Sequence, residues 1–352
     1  MYYGCDGNTT DHACRFIAIY TDLTVVETPE RKTFFIMMNI IEAIAHIVAT
    51  FVVTLSMDTV RNCARFHPNI VRIFIFFISH SYVYSSSRFV IFFFQNGIVE
   101  IEGFGAISYY FLLFFSFLRM YHLFTCVFIF SAFCFERLLA TIDMEEYEHR
   151  RDPTVSIVAL SAVVAISTAL GLDATCADVV LSLKVKLTIV VVVTVGSGVA
   201  SLVLHSHNLR VRRAMEQHPH RYRLSTRFQI VENCRAFQLL RNVAVVTTTG
   251  ISLASVGLIY SSIILTSLSC ASIAGAIFDT LNAIVYTTVI VMCCFSQAFW
   301  RDEFKAKLGL TNICNRTVVQ PSSNSESTQE SHFAGLAKAW EAKNRPDELK
   351  KY

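Results

Sequence analysis

Charge is scarce in this sequence. Only 16% of its 352 residues are Asp, Glu, Lys or Arg, where an ordinary soluble domain carries about 25%. A water-soluble protein of this length needs a polar skin over its core, and here polar residues come only in short blocks between long apolar runs. Catalytic signatures are also lacking. There is no H-E-x-x-H, no G-x-S-x-G and no G-x-x-x-x-G-K-[ST], so neither an enzyme nor a cofactor is expected. No basic tract interleaved with aromatics is present, which sets nucleic acid aside. His205/His207 and His218/His220 form two H-x-H pairs in a basic stretch, and no metal site is expected there. Met1–Arg15 has no basic start and no short apolar core, so no cleavable leader is expected. No internal repeat is evident.

What the sequence has is apolar length. Hydrophobic types make up 53% of it. A helix rises 1.5 Å per residue and needs about 20 apolar residues to cross ~30 Å of hydrocarbon. Seven runs meet or approach this: Thr33–Met57, Ile70–Phe94, Ser108–Phe135, Thr154–Leu172, Leu187–His205, Val243–Leu268 and Ser272–Ser296. The second is the weakest, holding Arg72, His80 and Arg88. Backbone amides in lipid must bond internally, so runs of this kind are helices. The expected fold is all-α: a bundle of seven transmembrane helices (33–296), after an extracellular N-terminus (1–32). Only Ser269, Cys270 and Ala271 separate the last two runs, which suits a tight helical hairpin.

Orientation follows from basic residues beside the spans. One side holds Arg61 and Arg65, Arg137, Arg150 and Arg151, eight arginines from Arg210 to Arg241, then Arg301, Lys305, Lys307 and Arg316. The other holds only Arg15, Arg31, Lys32, Lys184 and Lys186. The N-terminus is therefore expected outside and the C-terminus inside. Asn8-Thr9-Thr10 is a glycosylation sequon on the outer side. Cys5, Cys14, Cys176 and Cys270 would face the oxidising side, and four cysteines allow three pairings. The other cysteines, including Cys126, Cys134, Cys234, Cys293 and Cys294, are expected as free thiols.

After the last span, Trp300, Phe304 and Leu308 recur at i, i+4, i+8 with charges between them. This predicts a short amphipathic helix at the membrane interface over 297–310, followed by a disordered or partly helical tail, 311–352.

Four ionisable residues stand deep in the runs: Glu42, Arg88, Arg119 and Asp279. Each lies roughly 10–16 Å from the outer end of its span at helical rise. Arg72 is nearer the inner end and can snorkel. The four form either a polar layer lining an outward-facing ligand cavity or two acids and two arginines that neutralise one another.

The inner ends carry patterns. Glu136-Arg137 closes the third run and resembles the D/E-R-Y motif of rhodopsin-like receptors, in which the arginine is held at rest and released to a G protein. Asn282-x-x-x-Tyr286 resembles N-P-x-x-Y with Ala283 in place of Pro. None of the six prolines lies within a span, which points to a divergent branch. Between the fifth and sixth runs stands Leu224-Ser225-Thr226-Arg227-Phe228-Gln229-Ile230-Val231-Glu232-Asn233-Cys234-Arg235. Its apolar residues recur at helical spacing, Thr226 with Gln229 suits a capping box, and the segment predicts a cytosolic helix feeding directly into the sixth span.

This string, with Glu136-Arg137-x-x-Ala140-Thr141 and Glu146-Tyr147-Glu148, resembles the nematode serpentine chemoreceptors of class epsilon (Sre). The resemblance implies a plasma-membrane or sensory-cilium receptor for an extracellular small molecule. Its expected partners are a heterotrimeric G protein, membrane lipid and other copies in a receptor oligomer. Glu136, Arg137, Arg227, Glu232, Asn233, Arg235, Asn282 and Tyr286 are the expected coupling or switch residues. A transporter or ligand-gated channel subunit suits the intramembrane charges, but lacks a twofold repeat or broken spans. A chaperone-like membrane protein is a third reading.

Overall fold

The computed structural model describes residues 28–61, 67–99, 106–143, 147, 152–175, 181–217, 224–264 and 268–309. Outside them lie Asn8, Cys5, Cys14, Cys176, the second H-x-H pair and the tail 311–352. Eight helices occur among the described residues: α1 (Pro29–Arg61), α2 (Pro68–Gln95), α3 (Ile107–Ile142), α4 (Thr154–Thr175), α5 (Leu183–Gln217), α6 (Leu224–Ile264), α7 (Leu268–Ser296) and α8 (Ala298–Lys307).

Proline marks the helix starts rather than their interiors. Pro29 and Pro68 are the first residues of α1 and α2, where a missing N–H costs nothing. Thr28 Oγ1 accepts from the Arg31 amide at 3.4 Å. Before α4, Asp152 Oδ1 accepts from the Thr154 amide at 3.0 Å, doing the same for orphan donors.

Five of the helices, α1, α3, α4, α5 and α7, are long and apolar enough to cross a membrane. In α2 the apolar run is diluted by Ser, His and two arginines. α6 is 41 residues long, about 60 Å at helical rise, and its polar first half runs without a break into its apolar second half, as the sequence predicts. The hairpin between the last two long helices sits earlier than expected. α6 ends at Ile264 and α7 begins at Leu268, so Ser269–Ala271 are helical. Hydropathy detects apolar length and is blind to where a short polar group can be absorbed into a helix.

The chain divides into two units, Met1–Phe304 and Lys305–Tyr352. In the first, α1 packs between α2 and α7, α6 between α5 and α7, and α3 touches α2, α4, α5 and α6. The surface is apolar where a soluble protein would be polar: Ile40, Ile44, Ile47 and Phe51 on α1 are each more than half exposed. Lipid is the solvent that tolerates such a face.

Where α3 meets α4, Gly171 lets the backbones approach: a Cβ there would stand 3.1 Å from the Tyr121 backbone. Small residues permit such closeness in membrane bundles. α8 lies within 297–310, where the sequence predicts an amphipathic helix. Trp300 and Phe304 are buried against the bundle, with the Trp300 ring 5.4 Å from that of Phe74 on α2, and so bind protein rather than headgroups. The same spacing serves either apolar partner. In the second unit, the described residues finish α8 and turn at Gly309, whose φ of +70° suits only glycine-like backbone; Leu308 is exposed.

Candidate functional site

Three groupings inside the bundle bear on function. The first is the four deep charges, which the packing of α1, α2, α3 and α7 brings together. Arg88 donates from Nε to Glu42 Oε1 at 2.5 Å and from Nη2 to Glu42 Oε2 at 3.0 Å, a bidentate fork. The same Nη2 is 3.3 Å from Asp279 Oδ2, and Arg119 donates from Nη2 to Asp279 Oδ1. His46 Nε2 stands 3.5 Å from Glu42 Oε1, as their shared helix face predicts. All four charged residues are essentially inaccessible. Two cations and two anions sum to zero, which removes most of the cost of burying them in lipid.

The second grouping is a cavity of about 120 Å³ lined by α2, α3, α5, α6 and α7, with Ala174 of α4. Its wall is mostly apolar, chiefly phenylalanine, valine and leucine, and none of the four deep charges is part of it. Of the two arrangements open to the four charges in the sequence, the geometry has them paired with one another rather than lining this cavity. Between cluster and cavity stands Tyr84, whose ring stacks on His122 at 4.4 Å and 9°; both residues line the cavity. Asn282 and Tyr286 line it too. Asn282 Nδ2 donates to the Phe278 carbonyl at 2.8 Å and the Tyr286 hydroxyl to the Phe77 carbonyl at 2.9 Å. At one end is Lys186, buried, with Nζ 2.9 Å from Asp173 Oδ2. Counted by sequence as an outer anchor, Lys186 is instead a wall residue. The apolar context of α5 around it was a signal that counting basic residues passes over.

The third grouping closes the arginine-rich end. Arg137, wholly buried, donates from Nε and Nη2 to the two oxygens of Glu136, both at 2.6 Å. Its Nη1 donates to Asn233 Oδ1 on α6 at 2.8 Å and stands 3.8 Å from Glu232 Oε1. Glu232 Oε1 also accepts from the His67 amide, the N-cap of α2, at 2.7 Å. The Tyr147 hydroxyl donates to Glu136 Oε1 and accepts from Asn69 Nδ2 at 3.4 Å. Asn69 Oδ1 in turn accepts from Ser156 of α4 at 2.9 Å and from Arg72 at 3.0 Å. From α5, Asn208 donates to Thr141 Oγ1 at 3.1 Å. One buried network thus ties the ends of α2, α3, α4, α5 and α6. Burial and the adjacent Glu136 carboxylate push the Tyr147 phenol above its ordinary value, so it stays a donor.

The sequence string on α6 is the α6 half of this network: Gln229 Nε2 donates to Asn233 Oδ1 at 3.3 Å. The capping box does not form. Because α6 starts at Leu224, Thr226 lies inside the helix and Gln229 turns toward Arg137's partner. Arg235 is exposed and Arg227 half-buried; the Arg235 carbonyl accepts from Gln297 Nε2 at 3.2 Å. Spacing within one helix could not reveal Asn69 and Asn208, whose amides bond partners on other helices, nor His67, which enters through its backbone N–H. Among the described residues Cys126, Cys134, Cys234, Cys293 and Cys294 are free thiols, as expected, and no metal-binding group of side chains occurs. Cys270 lies in α7.

The model of the Sre G protein-coupled chemoreceptor family matches residues 13–341, nearly the whole chain. No curated protein matches the sequence.

Proposed function

We propose, for a chain that belongs to the Sre G protein-coupled chemoreceptor family, that it detects an extracellular small molecule and signals to a heterotrimeric G protein. In this reading seven helices cross the plasma membrane with the N-terminus, and Asn8 with it, outside. Residues 33–296 are the receptor body and 311–352 the cytosolic tail. The arginine-rich end faces the cytosol.

The observation that supports the reading best is the Glu136–Arg137–Asn233 bridge between α3 and α6. A buried arginine held by one neighbouring acid and one amide across a helix interface is a two-position device. When α6 swings away, Arg137 loses Asn233 and Glu232 and becomes available to a partner, while exposed Arg235 and half-buried Arg227 flank the opening. A ligand drives this only by its differential affinity for the two arrangements. The four-charge cluster acts as a clamp that fixes α1, α2, α3 and α7 while α6 moves.

The test is a screen of small odorants and metabolites against surface-expressed receptor, read as G-protein subunit dissociation. An active compound should lose its signal in Arg137→Ala at equal surface expression. A ligand-evoked current that persists in cells lacking G proteins would defeat the proposal and favour a channel.

A further inference from the structure

We propose that the cavity between α2, α3, α5, α6 and α7 is a binding site for a small, neutral, hydrocarbon-like molecule of about the size of benzene. The inference deepens the receptor reading, and rests on it only for what occupancy does.

Size comes first. The cavity measures about 120 Å³, and an engineered apolar cavity of about 150 Å³ stays dry and takes up benzene. A ring or chain of about six to eight heavy atoms therefore fits with slight movement of the wall, and a peptide, nucleotide or sugar does not.

Charge comes next. Lys186 is the one Lys, Arg, Asp or Glu on the wall, and its ammonium is already matched by Asp173 at 2.9 Å. An anion entering there would meet the Asp173 carboxylate as well and gain little to offset its own desolvation. A cation finds no carboxylate on the wall. The deep cluster next door is charge-balanced, with Glu42, Arg88, Arg119 and Asp279 paired with one another, and none of the four lines the cavity. What remains for a ligand is mainly dispersion against Phe124, Val127, Val190 and Phe278 and ring contact with the Tyr84–His122 stack. The Tyr84 hydroxyl and His122 Nδ1, which have no hydrogen-bond partner among the described residues, are the neutral polar atoms of that stack.

Position then gives occupancy a consequence. Val285 of α7 lines the cavity and also sits against Gly250 of α6, where an added Cβ would lie 2.6 Å from its Cγ2. The wall on that side has no slack. A guest that pushes Val285 outward pushes α6, the helix that carries Asn233.

The experiment is ¹⁹F NMR of fluorobenzene with the full chain in lipid nanodiscs, with empty nanodiscs subtracted for partitioning, and 4-fluorobenzoate run beside it. The expected result is one saturable fluorobenzene site per receptor and at least ~10-fold weaker fluorobenzoate binding, a difference of about 1.4 kcal/mol or more. Val127→Phe on α3 and Val190→Phe on α5 each fill the cavity from a different helix, so that one serves if the other fails to fold. Either should abolish the site, while Val192→Phe, on the exposed face of α5, should leave it intact. Absence of a saturable site, binding that survives both filled variants, or tighter binding of fluorobenzoate that Lys186→Met removes would each overturn the proposal. Because binding is read without G protein, a failed site and failed coupling are separable. Odorant signalling that persists in Val127→Phe sinks the site and spares the receptor reading.

Discussion

At the scale of single residues, most of the chemistry is buried charge. Arg88 serves Glu42 and Asp279 at once, so removing it leaves Glu42 with only His46 beside it among the described residues, and Asp279 with Arg119. Arg88→Leu is expected to cost about 3–5 kcal/mol, read as a fall in melting temperature and surface expression. The double substitution Glu42→Leu/Arg88→Leu leaves the neutral Arg119–Asp279 pair and should cost less than the single one, a result that would contradict a simple sum of lost contacts. Tyr147→Phe removes the donor to Glu136, a bond to a charged group worth about 1.5–3 kcal/mol. Raised basal signalling at unchanged expression is the expected outcome. Since the folded-state pKa of Tyr147 is raised, its contribution is complete below the unfolded value near 10 and fades only as pH climbs through the folded value. Basal activity should therefore show no titration from this group between about pH 6 and 9.

Among elements, glycine sets two helix contacts. Gly171→Ala would drive a methyl against the Tyr121 backbone, which cannot rotate aside, so α3 and α4 must separate. About 1–3 kcal/mol of destabilisation is expected, visible in a thermal melt of the purified protein. Gly250→Ala meets a side chain instead, that of Val285, and can displace it into the cavity. A smaller loss of stability together with weakened fluorobenzene binding is the expected pair of results. α8 behaves as part of the bundle: with Trp300 buried against Phe74, Trp300→Ala should cost about 3–5 kcal/mol, whereas a helix resting only on headgroups would lose little.

For the whole molecule, the division is between an apolar body and an arginine-rich end. The extension of α6 by its polar first half, and of α5 by its last turns with Arg210, Arg212 and Arg213, carries two packed helices past the lipid-sized segment. An epitope before residue 28 should be stained on intact cells and one after residue 309 only after permeabilisation. The reverse staining would place the Glu136–Arg137 network outside and remove the case for a G protein. Five and seven crossings give the same staining, so epitopes in the connections on either side of α2 and of α6 are what decide whether these two cross with the five helices whose length and hydropathy already suffice.

Apolar length, the positions of proline and the pairing partners of Glu42 on its own helix face were legible in the sequence, because each depends on composition or on 3.6-residue spacing. So was the continuity of the α6 string with the apolar helix, and the nearness of Glu42, Arg88, Arg119 and Asp279 once their helices were taken as neighbours. Tertiary structure alone decided that those four charges close on one another and leave the cavity apolar, that Lys186 turns inward to Asp173, and that Asn69, Asn208 and Tyr147 join Arg137. Each of these is a contact between residues far apart in the chain, set by how helices rotate and tilt when their side chains interlock, and one-dimensional spacing holds no information about that rotation.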